Sequence, residues 1–188
     1  LVSNCNQKLS SADQEIVIIG GGIAGTALAA GLASRGVRPH IVEAGECFAV
    51  ASSGNRLALQ SPRLSVDHNI ASRMSADCLS YAARTSDAAK AVVSSKTISL
   101  DWPDREAARQ AKFRKQFWPE DLMQFVDAET ASDHAGVKLS VGGVLHDYGR
   151  VIDPTALTRH LGRNAQTSFG FNVVEIGRDK TGFHLVAS

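Results

Sequence analysis

The apolar positions of this chain change period along its length, and the changes mark its elements. Residues 15–19, EIVII, form an unbroken β-branched run, which predicts a parallel strand buried on both faces. IAGTALAAGLASRG follows with small and apolar residues at helical spacing, closed by Gly36, where a left-handed glycine ends a helix. VRPHIVE, with Pro39 in its early part, predicts a second strand. Strand, helix, strand in this order is a βαβ unit, whose crossover is right-handed in nearly all cases.

After a loop from Gly45 to about Ser65, the periodicity predicts a helix carrying Ile70, Met74, Cys78 and Tyr81 on one face. TISL reads as a short strand. PDREAARQAKFRKQF reads as a charged helix with Pro103 near its first turn. LMQFVD predicts a strand, and a short helix enters through Asp127 and ends at Gly136. KLSVGGVLHD looks like two strand pieces broken by Gly142 and Gly143, and Asp153 suits the N-cap of PTALTRHLGR, with Pro154 at its first position. GFNVVEIGRDKTGFHLVA predicts a hairpin turning between Asp179 and Gly182. Residues 1–14 are polar, serine-rich and unpatterned, as in a tail or linker.

The run from Ile16 to Ser34 has no charge and contains G-x-x-x-G at Gly21 and Gly25, so a membrane span has to be weighed. Its first strand is β-branched, its middle glycine-rich and the rest dominated by Ala and Gly, with no aromatic belt, which argues against a span. The alternative is G-x-G-x-x-G at Gly20, Gly22 and Gly25, directly after a strand and opening a helix. Gly20 permits the tight turn, Gly22 lets the backbone approach a pyrophosphate, and Gly25 packs helix on strand. The first-turn amides, at Ile23 and Ala24, and the helix dipole then face the phosphates. Glu43, at the end of the second strand, suits both hydroxyls of a ribose and would repel a 2′-phosphate, which argues against NADP. FAD and NAD are not separated by this unit.

Composition narrows the rest. The 188 residues are 44% hydrophobic and 21% charged, as in a soluble globular protein, and the net charge of +1 gives no overall field for nucleic acid or membrane. Cys5, Cys47 and Cys78 form no CxxC pair, so reduced thiols and a cytoplasmic location are expected, with Cys47 as a small filler. The histidines show no metal-ligand spacing, and no metal is expected.

Downstream of Glu43, AVASSGNRLALQSP places Ser52, Ser53, Gly54 and Asn55 in succession, read either as further phosphate donors or as an ordinary surface turn. The order of phosphate loop, ribose carboxylate and A-S-x-x-N-like loop resembles the D-amino-acid oxidase and glycine oxidase family of flavoenzymes. SSGNRLALQSPRLS is more narrowly similar to a segment of one bacterial branch, the FAD-dependent module that takes part in making 5-methylaminomethyl-2-thiouridine in tRNA. Ser53, Gly54, Asn55, Arg56, Pro62, Leu64 and Ser65 match that segment, while Leu57, Ala58 and Gln60 depart from it. GGVLHDYGRVIDPTALTRHL and the hairpin after it are similar to the family's Gly-Gly hairpin, Pro-led helix and adenine-contacting strands, Val173 being the matching main-chain contact.

The resemblance implies an α/β fold: a Rossmann-like FAD-binding domain over residues 15–65 and 141–188, with residues 66–140 a helical insertion with short strands on the substrate side. It implies FAD as cofactor and an oxidoreductase acting on a secondary amine, removing the carboxymethyl group of 5-carboxymethylaminomethyl-2-thiouridine at the wobble position. A small-molecule amino-acid or glycine oxidase, or a non-catalytic nucleotide-binding fragment, are the alternatives. Enzymes of this family continue past the equivalent of Ser188, so the chain is expected to be part of a longer one. Arg56 is placed near flavin and substrate carboxylate, since a guanidinium grips carboxylates bidentately, or else it anchors its loop through an ion pair. Arg105, Arg109 and Lys112 share a helical face with Phe117 and Trp118 close by; this is either a tRNA phosphate track or a solvated face beside a core tryptophan.

Overall fold

A computed structural model describes residues 16–67, 69–102, 104–116, 118–180 and 182–188. The uncharged run of the N-terminal region becomes a strand, β1 (Val17–Ile19), and a helix, α1 (Ile23–Ala33). Among the described residues no helix is long and apolar enough to cross a membrane. β2 (His40–Val42) lies parallel to β1, pairing Val17 with His40 and Ile19 with Val42. Ile19 is half exposed, against the expectation of a strand covered on both faces, because β1 stands at one edge of its sheet.

The chain forms two compact units, one made of the residues through Arg56 together with Pro154–Ser188, the other of Leu57–Asp153. In the first, α5 (Pro154–Gly162) packs against α1, and β7 (Gln166–Ser168) adds to β2 in parallel to give the order β1-β2-β7. Ile18, Ala29 and Ile41 form its core. β8 (Val173–Asp179) and β9 (Gly182–Ala187) are the expected hairpin, closing on the Asp179–Gly182 pair.

The second unit is built on a mixed-length antiparallel sheet. β3 (Ala58–Gln60), β4 (Val92–Leu100) and β5 (Gln124–Val126) all pair with β6 (Gly143–Ile152). Residues 57–65 and 141–153, expected with the nucleotide-binding part, fall in this compact unit, with Ala58–Gln60 and Gly143–Ile152 in its sheet. β6 is one strand rather than two pieces. It starts at Gly143, where a Cβ would overlap the Ser99 carbonyl, and Gly142 stands equally close to the Val126 carbonyl. The glycine pair lets β4 and β5 approach the same strand end instead of breaking it.

α2 (Ile70–Ala88) is capped by Asn69, whose side chain accepts from the Ser72 amide. The face that carries the apolar residues is turned outward: Ile70, Met74 and Tyr81 are 75%, 65% and 65% exposed, and Cys78 is exposed as well. The buried face holds Ser72, Leu79, Ala83 and Ser86. Small side chains permit a close seat on the sheet, and the two hydroxyls are satisfied there, Ser86 donating to Gln60 Oε1 at 3.0 Å and Ser72 accepting from Ser65 N at 3.0 Å. Cys47 is exposed too, so it fills no core; Cys5 lies outside the described residues.

α3 (Asp104–Phe113) ends four residues earlier than the charge pattern suggested, and Pro103 lies outside the described residues. α4 (Ala128–Ala135) is capped by Asp127, whose carboxyl the Thr130 amide holds below the usual carboxylate range; it ends at Gly136, φ 67°. Leu64, Leu79, Phe113, Trp118, Leu122, Met123 and Val144 form the core of this unit.

His146, on β6, is buried in that unit, its Nδ1 hydrogen-bonded to the Leu122 carbonyl at 2.8 Å. Burial pushes its pKa below 6.5, partly opposed by that bond. The unfolded chain therefore takes up this proton first as the pH falls, so stability is full above about pH 6.5 and declines below it. Denaturant melts at about pH 7.5 and about pH 5.5 test this: the acid-side loss should be smaller in His146→Gln, and an equal loss would remove His146 as its source.

Candidate functional site

The turn from β1 into α1 is shaped by its glycines. Gly20 has φ +106°, a region that disfavours side chains, and its amide donates to the Val42 carbonyl at 2.8 Å. Gly25 lies so close to the turn that a Cβ there would overlap the Gly20 carbonyl oxygen and stand 3.2 Å from Ile18 Cγ2. Gly22 is the N-cap of α1, with no side-chain cap and no acidic residue in the first turn. The first turn of α1 thus carries neither a capping side chain nor an acidic residue of its own, which leaves its amides and dipole for an anion.

Glu43 follows β2 and is 8% exposed. Its Oε2 accepts from the Gly21 amide at 2.5 Å and its Oε1 from the Gly45 amide at 2.9 Å. Its main chain is held as firmly, with Glu43 N on Ser168 O and Phe171 N on Glu43 O, both 2.9 Å. One residue therefore ties the glycine turn and the loop after β2 through its carboxylate and the exit of β7 through its main chain, with a lone pair left on each carboxylate oxygen for hydroxyl donors.

Ser52–Gly54 form one short 3-10 turn. Ser53 Oγ accepts from the Ile23 amide at 3.1 Å and stands 3.0 Å from where a Gly22 Cβ would be. The serine loop and the glycine turn, 30 residues apart in sequence, are thereby one structure. Ala24, Ser52, Gly54 and Asn55 are exposed around it. Arg56 is also exposed, and among the described residues it has no ion-pair or hydrogen-bond partner. Val173 is half-buried in β8 opposite Ala187, where the ladder shifts register before Glu175.

Two residues absent from the sequence reading complete the turn. Phe48 wedges between Gly21 and Gly162, so that a Cβ on either would lie 2.8 Å or 2.6 Å from its ring, and it meets Phe169 edge-on at 5.1 Å. Thr26 is fully buried, and its hydroxyl returns to the Gly22 carbonyl at 2.9 Å. The second glycine of GGG and a threonine four residues past the cap were the available signals.

The basic stripe divides. Arg105 and Lys112 are exposed on α3, while Arg109 pairs with Glu106 at 2.8 Å, donates to the Leu64 carbonyl at 2.7 Å and lies over the Phe113 ring. Trp118 is 7% exposed and packs edge-on against Phe113, so it belongs to the core and not to a surface track; Phe117 lies outside the described residues. A cavity of about 50 Å³ within the second unit is lined by Leu64, Gln110, Phe113, Met123, Val144 and His146, and Gln110 Nε2 donates to the Ser99 carbonyl beside it. Among the described residues no group of three or more His, Cys, Asp or Glu could hold a metal ion.

A family model described as FAD dependent oxidoreductase matches residues 15–182. The tRNA 5-methylaminomethyl-2-thiouridine biosynthesis bifunctional protein MnmC of Pseudomonas fluorescens (strain Pf0-1) is 32% identical over 155 residues, covering 77% of this chain and 22% of that protein. The protein of the same name from Aeromonas hydrophila subsp. hydrophila is 33% identical over 165 residues, covering 85% of this chain and 25% of that protein. The chain thus spans roughly a quarter of the length of these curated relatives. Among solved structures, glycine oxidase from Geobacillus kaustophilus superposes with a TM-score of 0.71 at 17% identity, over 91% of this chain and 50% of that one. L-Amino acid deaminase from Proteus myxofaciens gives 0.67 at 18%, over 97% and 46%.

Proposed function

The chain belongs to the family of FAD-dependent oxidoreductases, whose cofactor is FAD, and from that premise we propose that it is the flavin-binding part of an enzyme that removes the carboxymethyl group from 5-carboxymethylaminomethyl-2-thiouridine at the tRNA wobble position. The observation that carries the substrate is the 32% identity to a tRNA-modifying protein over 77% of the chain. A contiguous match of that extent necessarily includes residues 66–140, where the sequence offered no motif.

In this reading the turn of Gly20, Gly22, Ile23, Ala24 and Gly25 holds the diphosphate: Gly20, its own amide spent on Val42 O, shapes the turn, Gly25 seats α1 on β1, and the amides of Gly22 and Ala24 face the phosphates with the α1 dipole, Ile23 N being shared with Ser53 Oγ. Glu43 takes the ribose hydroxyls with the lone pairs its two amide bonds leave, and excludes a 2′-phosphate by charge. Ser52, Ser53, Gly54 and Asn55 line the diphosphate from the other side, Ser53 already standing on the Ile23 amide at 3.1 Å. Val173 offers its main chain to the adenine. FAD, when bound, accepts the hydride removed from the carbon beside the amine nitrogen, leaving an imine that water splits into the aminomethyl nucleoside and glyoxylate. Arg56 binds the substrate carboxylate, its exposed guanidinium having no partner among the described residues. Arg105, Arg109 and Lys112 face tRNA phosphate, with Arg109 contributing least because Glu106 already holds it.

The test is to incubate the full-length protein with tRNA bearing the carboxymethylaminomethyl nucleoside and to follow nucleosides and glyoxylate by mass spectrometry. Conversion to the aminomethyl form is expected. An unchanged nucleoside with turnover of glycine or sarcosine would replace this reading by an amino-acid oxidase, and a protein without a flavin spectrum by a nucleotide-binding module. Arg56→Ala should lower kcat/KM by roughly 10- to 100-fold, the worth of a charged hydrogen bond, while flavin content stays at the parent level. Unchanged kinetics would take Arg56 out of the site.

A further inference from the structure

The two tryptophans flank α3 and have opposite environments. Trp118, past its end, is buried against Phe113. Trp102, two residues before its start, is 72% exposed and makes no ring contact with a described residue. Tryptophan is highly buried on average, and a large aromatic left in water is a contact surface waiting for a flat apolar partner.

What lies beside it selects that partner. Arg105 stands three residues on, in the first turn of α3, and Lys112, seven residues further, shares the side of Arg105 by spacing. Both are exposed, as is Lys115 just past the helix, and none has an ion-pair partner among the described residues. Glu106 is neutralised by Arg109. Asp104, exposed beside Arg105 in the first turn, weakens phosphate contact at the Trp102 end, so the stronger backbone contact falls on Lys112 and Lys115. From Asp104 to Lys112 α3 runs about 12 Å at helical rise, room for about three stacked nucleotides. Aromatic at one end and cations at the other is the layout that single-stranded nucleic acid uses, since every base has a π-face.

We propose that Trp102 is the stacking platform for one unpaired base of an RNA loop whose phosphates run along α3 toward Lys112 and Lys115. The inference rests on the tRNA-directed reading above and moves the aromatic contact from the C-terminal end of the stripe to its N-terminal end.

The experiment is a double-mutant cycle on the full-length, FAD-loaded protein. Filter binding measures the affinity of wild type, Trp102→Ala and Trp102→Phe for an anticodon stem-loop and for a set of the same stem-loops, each with one loop base removed. Trp102→Ala should weaken binding of the intact loop roughly 5- to 150-fold, with Trp102→Phe losing much less. One abasic loop should bind wild type and Trp102→Ala equally. A loss of the same size on every abasic loop, or no loss on the intact one, overturns the Trp102 assignment and leaves the tRNA reading standing. If the wild type binds the stem-loop no better than a duplex of equal length, both fall together.

Discussion

Gly25→Val is expected to purify without flavin and to unfold well below the parent. The position has no room: a Cβ overlaps the Gly20 carbonyl oxygen, and Ile18 Cγ2 stands 3.2 Å away on the other side. Overpacking a core costs about 1–3 kcal/mol when side chains can give way. Here the obstacle is backbone, so the cost should be at least about 3 kcal/mol, taken either as instability or as displacement of α1 from β1. Displacement also withdraws the Ile23 and Ala24 amides from the turn, so flavin binding and stability fall together. Gly36→Ala is the control. Its φ of +80° makes alanine strained by about 1 kcal/mol, yet its Cβ meets open space and the glycine turn is untouched. It should melt slightly lower and stay yellow. Flavin-to-protein absorbance ratios with thermal melts decide the matter, and a yellow Gly25→Val with a parent-like melt would mean that the close approach of helix to strand is dispensable.

Glu43→Ala should be the second most damaging change. It leaves the Gly21 and Gly45 amides, both now bonded to one buried carboxylate, without an acceptor. An orphaned buried donor costs about 1–3 kcal/mol, so the pair costs about 2–6 kcal/mol before any ligand is considered. Glu43→Gln separates structure from charge. Its amide oxygen satisfies one of the two donors, while its NH₂ confronts the other. Stability should therefore lie between parent and Glu43→Ala, and FAD should bind more weakly than to the parent. Urea unfolding and FAD titration measure the two effects. A Glu43→Gln protein equal to the parent in both would show that neither the charge nor the paired acceptors matter.

Both variants act on the part of the chain that the sequence already made legible. The βαβ unit and its glycine turn are local: each signal lies within a few residues of the feature it specifies, and Gly20 and Gly25 have the tight turn and close approach their spacing implied, whereas the bonds of Glu43 to the Gly21 and Gly45 amides were not legible. What could not be read was partnership at a distance. β7, Gln-Thr-Ser, is three residues without a hydrophobic pattern and is a strand only because β2 lies beside it. β3 is the same case against β6. Periodicity correctly grouped Ile70, Met74, Cys78 and Tyr81 on one side of α2, but it does not say which side faces the sheet. A face of Ser and Ala with Leu79 was buried instead, because two hydroxyls found partners there. Likewise the charge pattern around α3 did not reveal which tryptophan is core and which is surface. That depended on where Phe113 put its ring.

The parallel pairing of His40 with Gln166 also sets a schedule. β2 leaves the ribosome long before the strand that completes its sheet, and the whole of Leu57–Asp153 is synthesised in between. At ordinary translation rates that gap is on the order of ten seconds, far longer than a helix or hairpin needs to form. The second unit, continuous in sequence, has every strand of its sheet in hand before β7 exists. The glycine turn must wait with Ile18 and Ile41 short of their final cover, which makes the nascent nucleotide-binding half the stretch of this polypeptide most in need of chaperone protection.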